Sequence, residues 1–411
     1  MTDTILFHTF PNGLVLVAEP MPSLQSAAFT FLVPAGCVHD PTGRGGLAGF
    51  VLEMVLRGAG PRDNRRLVLD LDNLGVERSE SVSDAHAYFG GVTLSENLPA
   101  ALAIYADVLR RPHLPGDQLE MVRQIMLQDI QAVEDEPAQK LGNELRRRYY
   151  HAPWGRPSQG ELAAVEATTL DDIRAFFADR FRAGGTVLGV AGRFDWESLK
   201  ATVADLLADW PNGGESPLPG AVARPTTGHV AHESQQTQIG IAWPCVPYRD
   251  DRYFEAWGAV GVLSGGMSSR LFTEVRERRG LCYSIHAACH SLREHGGVFC
   301  HAGTTTDRAQ ETLDVTLAEI RRLAAGVETH ELERLKARIK SALIMQQESS
   351  ASRSSGIARD WHHLGRVRTL DEVGRRIDRL SCESINAYLE ANPPRDFTVV
   401  TLGTDPLETP R

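Results

Sequence analysis

The sequence predicts an α+β protein of two homologous domains, each a mostly antiparallel sheet with helices packed on one face. Three observations carry that expectation. The chain has 411 residues, more than the roughly 250–300 at which a single core stops growing. Midway along it, WPNGGESPLPGAVARPTTG replaces the periodic hydrophobic pattern with proline, glycine and small polar residues. The segments on either side of that break repeat one another.

The repeat justifies the elements in order. AYFGGVTLSENLPAALAIYADVLRRPHLPGDQLEMVRQIM reads as a strand, a polar turn, a helix, a loop and a second helix, and GVFCHAGTTTDRAQETLDVTLAEIRRLAAGVETHELERLKARIK repeats that order. Further on, TTLDDIRAFFADRFRAGGTVLGVAG and LSCESINAYLEANPPRDFTVVTLG each read as a capped helix followed by an apolar strand ending in glycine. A period of about 210 residues is a duplicated domain, since solenoid repeats run roughly 20–50 residues. The expected division is a domain over 1–209, a linker over 210–228 and a second domain over 229–411. Alternating strands such as LVLVAEP and TQIGIAW among long helices suit a sheet covered by helices. HESQQTQIGIAWP reads as a core strand or as an edge to which an extended peptide could add.

Composition narrows the function classes. A formal charge of −10, without a long like-charge run, argues against nucleic acid or an anionic membrane as the main partner. The first residues, MTDTILFHTFPNG, have no basic leader, and no apolar run approaches a bilayer span, so a cytoplasmic protein is expected. Six cysteines (37, 245, 282, 289, 300 and 382) form no CxxC pair, which suits reduced thiols. LSGGMSSRLF lacks a P-loop lysine and no GxGxxG follows a strand, so no nucleotide site is expected. In HAACHSLREHGGVFCH, with His286, His290, His295 and His301 beside Cys289 and Cys300, no HxxEH forms. These residues read as two strands joined by a turn, structural before metal-binding.

The stretch GRGGLAGFVLEMVLRGAG, residues 43–60, predicts a helix whose apolar face is Leu47, Phe50, Val51, Met54 and Val55. Gly49, Glu53 and Arg57 follow one another at i, i+4. Glu53 and Arg57 then make an intrahelical ion pair, and Gly49 leaves room for a neighbouring backbone.

This frame resembles the pitrilysin-type (insulinase, mitochondrial processing peptidase) zinc peptidases, whose inverted HxxEH motif sits in G-x-A-H-F-L-E-H-M-x-F-x-G-T. Gly46, Ala48, Phe50, Met54 and Gly58 match. The two histidine positions fall on Gly49 and Glu53, and the general base falls on Leu52. The family's distal glutamate ligand falls on Asp129 in MLQDIQAVEDEP, on the apolar side of its helix. The resemblance extends through PNGLVLVAEP, VPAGCVHDPTGRGGLAGF and YYHAPWGRPSQGELAAVEATTLDDIRAFF to SGGMSSRLFTEVRERRGLCYSI, so it covers nearly the whole chain. It implies that each domain belongs to a clam-shell and that Arg276 and Tyr283, at the family's R-x6-Y spacing, donate hydrogen bonds to a substrate carbonyl. Gly265, Gly266, Ser268 and Ser269 are read as a turn and helix start, or as a substrate-recognition loop. The whole implies a catalytically incomplete subunit of a heterodimeric zinc metallopeptidase acting on peptides. No metal or cofactor is expected in this chain, and zinc is expected in a sibling subunit of similar size. The alternative from the same resemblance is a scaffold protein, like the core subunits of respiratory complexes.

Overall fold

The computed structural model describes residues 4–213 and 226–409, so residues 214–225 of the expected linker lie outside the described residues. In the first half the chain runs β1 (Leu6–Thr9), β2 (Val15–Pro20), β3 (Ser26–Val33), α1 (Leu47–Val55), the short hairpin β4 (Gly58–Ala59) and β5 (Arg62–Asp63), and α2 (Asn64–Asn73). It continues through β6 (Glu77–Val82), β7 (Ala87–Leu94), α3 (Leu98–Arg110), α4 (Leu119–Asp135), α5 (Pro137–Tyr149), α6 (Leu162–Ala167), α7 (Leu170–Arg180), β8 (Val187–Gly192) and α8 (Trp196–Leu207). The second half runs β9 (Thr227–Ala231), β10 (Gln236–Cys245), α9 (Tyr253–Ser264), β11 (Ser284–Ser291), β12 (Gly296–Thr305), α10 (Ala309–Arg322) and α11 (Thr329–Gln346). It ends with α12 (Ser350–Leu364), α13 (Leu370–Arg379), α14 (Cys382–Ala391) and β13 (Thr398–Gly403).

The repeat is visible in the sheets. One has the order β1-β2-β8-β3-β7-β6 and the other β11-β12-β10-β13-β9. Reading the second backwards, β9, β13, β10, β12 and β11 stand where β2, β8, β3, β7 and β6 stand in the first. Each sheet has one parallel pair, β2 with β8 and β9 with β13, and is otherwise antiparallel. The two apolar strands of the repeat, β8 and β13, are buried at every residue. The capped helices preceding them both close with reciprocal capping boxes, Thr169 with Asp172 and Ser381 with Ser384. β10 lies inside its sheet between β12 and β13, so HESQQTQIGIAWP is a core strand.

The described residues form two compact units. One takes residues through Ala132, Arg156 to Gly213, and 344–370; the other takes Val133 to Gly155, 226–343, and Asp371 onward. The halves 1–209 and 229–411 are therefore interleaved: α5 belongs to the second unit and α12 to the first. The reason is that each sheet has two faces to cover. In the first unit Leu16, Phe29, Phe31 and Val190 pack on the main helical layer with Phe50, Met54 and Tyr105. Each such fully buried side chain stabilises by roughly 1.5–3 kcal/mol. Val17 and Val187, on the opposite face, pack on Ile357 and Ala358 of α12.

Strand glycines admit these covering helices. A Cβ at Gly189 would lie 2.3 Å from the Ser354 carbonyl oxygen on α12. In the second unit a Cβ at Gly240 would meet Leu145 of α5 at 3.1 Å, and the Tyr149 hydroxyl donates to the Gly296 carbonyl at 3.1 Å. The helices of each main layer are thus joined by one more helix on the sheet's other face.

Candidate functional site

The first unit positions α1 from its N-terminus. Gly46 takes a left-handed conformation, φ 100°, and offers no side-chain cap. Asp40 supplies one from outside the helix, accepting from the Gly46 N–H and the Ala48 N–H, both at 2.8 Å. Burial pushes the Asp40 carboxyl up to about 6, against the pull of these N–H bonds and the Arg156 charge. Sequence reasoning missed Asp40. Its one signal was an acidic residue shortly before a glycine turn and a hydrophobic helix.

The structure sets Gly49, Leu52 and Glu53 on α1 as the periodicity predicts, and it shows what occupies the chemistry. A Cβ at Gly49 would meet the terminal methyl of Met126 at 3.3 Å and the Ser158 carbonyl oxygen at 3.5 Å. Leu52 is buried in the core. The Arg57 guanidinium donates to Glu53 at 3.1 Å, so the glutamate has its expected partner on its own helix. That pair is worth a few tenths of a kcal/mol. Asp129, expected on the apolar side of α4, is exposed, and the buried stripe of that helix is Val122 and Met126. These residues do not fit zinc, which takes three or four ligands rich in histidine or cysteine. Among the described residues no group of three or more His, Cys, Asp or Glu converges to hold a metal ion.

In the second unit the candidate residues follow a glycine turn. After α9 the chain turns through Gly265 and Gly266, the latter at φ +149°. Met267 is 74% exposed at the turn's tip, while Ser268 is exposed and Ser269 is buried. Phe272–Glu277 then forms a π-helical turn, closed by the Arg278 N–H donating to the Thr273 carbonyl at 2.9 Å. Nothing in the sequence marked that widening, a feature frequent at functional sites. Arg276 leaves the π turn exposed, its guanidinium 4.8 Å from the Phe272 ring centre, and makes no ion pair among the described residues. Tyr283, just before β11, is tied by its backbone N–H to the Gly303 carbonyl at 3.0 Å while the residue is 64% exposed. Both side chains are donors open to solvent. A guanidinium and a phenol can stabilise a developing oxyanion where water is thin.

The histidine-rich strands are β11 and β12, paired so that His286 faces His301. His290 shares a 3.0 Å hydrogen bond with the Tyr150 hydroxyl, and His301 a 3.0 Å bond with the Gln238 side chain. Burial pulls both imidazoles down to about 4, helped by Arg146 for His290 and by His286 for His301. A histidine depressed in the folded state takes up its proton first in the unfolded chain. Stability is thus present above pH 6.5 and lost as pH falls toward 4. The thermal midpoint is expected to fall over that window, with a shallower fall in His301→Gln; a slope unchanged by the substitution would contradict the assignment.

Comparisons with known proteins agree with this architecture. The model described as "Insulinase (Peptidase family M16)" matches residues 15–159, and that described as "Peptidase M16 inactive domain" matches residues 167–339. A Mycobacterium tuberculosis protein named an uncharacterized zinc protease is 27% identical over 412 residues, covering 96% of this chain and 92% of its own. The structure of a peptidase M16 inactive domain from Pseudomonas fluorescens superposes with TM-score 0.92 at 21% identity, covering 99% of each chain. A chain of complex III from Candida albicans superposes at 0.82 with 17% identity, covering 98% of this chain and 96% of that one. Matched in both halves by models of one family, and carrying the family's helix frame without its ligands, the chain belongs to the insulinase (peptidase M16) family.

Proposed function

We propose that this chain is the zinc-lacking subunit of a heterodimeric metallopeptidase. A sibling subunit of similar size supplies zinc and general base, and this chain contributes Arg276 and Tyr283 in trans to hold the peptide's carbonyl. The observation that carries the reading is an asymmetry. On α1 the ligand and base positions are Gly49, Leu52 and a paired Glu53, whereas the donors of the second unit stand exposed. Gly265, Gly266, Ser268 and Ser269 serve in this reading as a substrate loop that precedes those donors in the chain. The reading takes the protein as cytoplasmic, with peptides as partners in place of nucleic acid or membrane. No helix of the described residues is long and apolar enough to cross a bilayer.

Zinc content tests the division of labour. After dialysis against trace zinc the lone chain is expected to hold none, and the pair one ion per heterodimer. Stoichiometric zinc in the lone chain would overturn the reading. The likeness to the complex III chain favours a second reading, a scaffold subunit. There a stable complex forms and Arg276 and Tyr283 are dispensable to it.

A further inference from the structure

Beside the glycine turn of the second unit lies a cavity of about 170 Å³ whose wall is α11. It is smaller than the roughly 300–1,000 Å³ that a drug-sized ligand fills, and suits a single side chain. Two arginines of its lining, Arg334 and Arg338, stand one helical turn apart, both exposed. Neither makes an ion pair or a side-chain hydrogen bond among the described residues. Like charges at i, i+4 oppose the helix by a few tenths of a kcal/mol, and nothing local relieves them.

The one carboxylate in the lining, Glu331, is already committed. It takes both arms of Arg270, at 2.8 Å from Nε and 2.7 Å from Nη2, and the Glu328 N–H at 2.9 Å. Arg270 in turn is buried and donates to the Gly326 carbonyl at 2.8 Å. With that pair neutral, the cavity wall carries the two charges of Arg334 and Arg338. Arg338 lies against the turn. A Cβ at Gly265 would meet the Gly261 carbonyl oxygen at 2.1 Å and the Arg338 Nη2 at 3.0 Å, and one at Gly266 would stand in ordinary contact with Nη1 at 3.7 Å. The guanidinium therefore lies along a backbone stripped of side chains. Ser268 offers a hydroxyl at the rim, and the exposed Met267 offers an apolar surface.

We propose that this cavity is a carboxylate-binding subsite that gives the chain a preference for acidic peptides. The carboxylate sits between the Arg334 and Arg338 guanidiniums, which can each donate to it in bidentate fashion, and the methylene stem of its side chain rests on Met267. The inference rests on the reading of this chain as a peptide-holding subunit, and names the substrate class that reading leaves open.

The test is fluorescence anisotropy on the full chain with labelled alanine/glycine peptides. They carry one central glutamate or its glutamine counterpart, each with a free or amidated C-terminus. The glutamate peptide, or the free-acid form if the chain terminus is the source of the carboxylate, is expected to bind about tenfold or more tightly than its uncharged counterpart. In Arg334→Gln/Arg338→Gln the preference is expected to vanish, with the thermal midpoint unchanged or slightly raised because both side chains are exposed and their mutual repulsion is relieved. In Arg334→Lys/Arg338→Lys, which keeps the charge without the fork, it should be partly kept. Equal binding of charged and uncharged peptides, or a preference surviving the double glutamine variant, overturns the subsite. The two readings fail separately: a pair that cleaves glutamate and glutamine peptides alike refutes the subsite and spares the peptidase, whereas a lone chain that selects glutamate beside an inert pair does the reverse.

Discussion

Replacing Arg276 with alanine and Tyr283 with phenylalanine together is expected to lower peptide turnover by the reconstituted pair about a hundredfold or more, the scale seen when one preorganised oxyanion donor is lost. The two side chains suit that role because neither is occupied at home. Arg276 leans on the Phe272 ring and pairs with no carboxylate among the described residues, and Tyr283 is 64% exposed. Burial of neither changes on substitution, so stability should stay within about 0.5 kcal/mol, as for surface changes generally. The loss should appear in kcat more than in KM if the donors act on charge that develops in the transition state. Unchanged turnover in the double variant would remove the donor assignment and favour the scaffold reading.

The second large effect is expected from rebuilding the motif. Gly49→His/Leu52→Glu/Glu53→His writes HxxEH into α1, yet the variant should be destabilised and bind zinc poorly. A side chain at 49 must displace Met126, whose methyl stands 3.3 Å from the Cβ position, and overpacking of this kind costs about 1–3 kcal/mol. Glutamate at 52 also places a carboxylate where Leu52 is buried. Adding Met126→Ala should return part of the stability, which denaturant midpoints would measure. A triple variant that matches the parent in stability and holds stoichiometric zinc would show that α1 has kept a working metal pocket.

Much of the fold was legible because it is written in local chemistry. The capping boxes at Thr169 and Ser381, the mostly apolar strands after them and the Glu53–Arg57 pair each involve residues a few positions apart. What stayed hidden depends on distant partners. Gly189 and Gly240 read only as strand glycines until α12 and α5 are seen against them. Asp40 looks like a loop carboxylate until it meets the Gly46 and Ala48 N–H groups. Asp129 stands two turns after Val122 on the same side of α4, as its spacing says, but the burial of that helix ends at Met126 and its last turns are uncovered, so the carboxylate is exposed. In HELERLKARIK nothing sets Arg334 and Arg338 apart from the other charges. Only the diversion of Glu331 to Arg270 reveals them as unmatched.

The division of one active site between two chains is tested most directly by peptide hydrolysis measured at saturating zinc for this chain alone, for its HxxEH-bearing sibling alone, and for the equimolar mixture. Activity confined to the mixture is the predicted result. Hydrolysis by this chain alone, or a mixture no faster than the sibling alone, would contradict it.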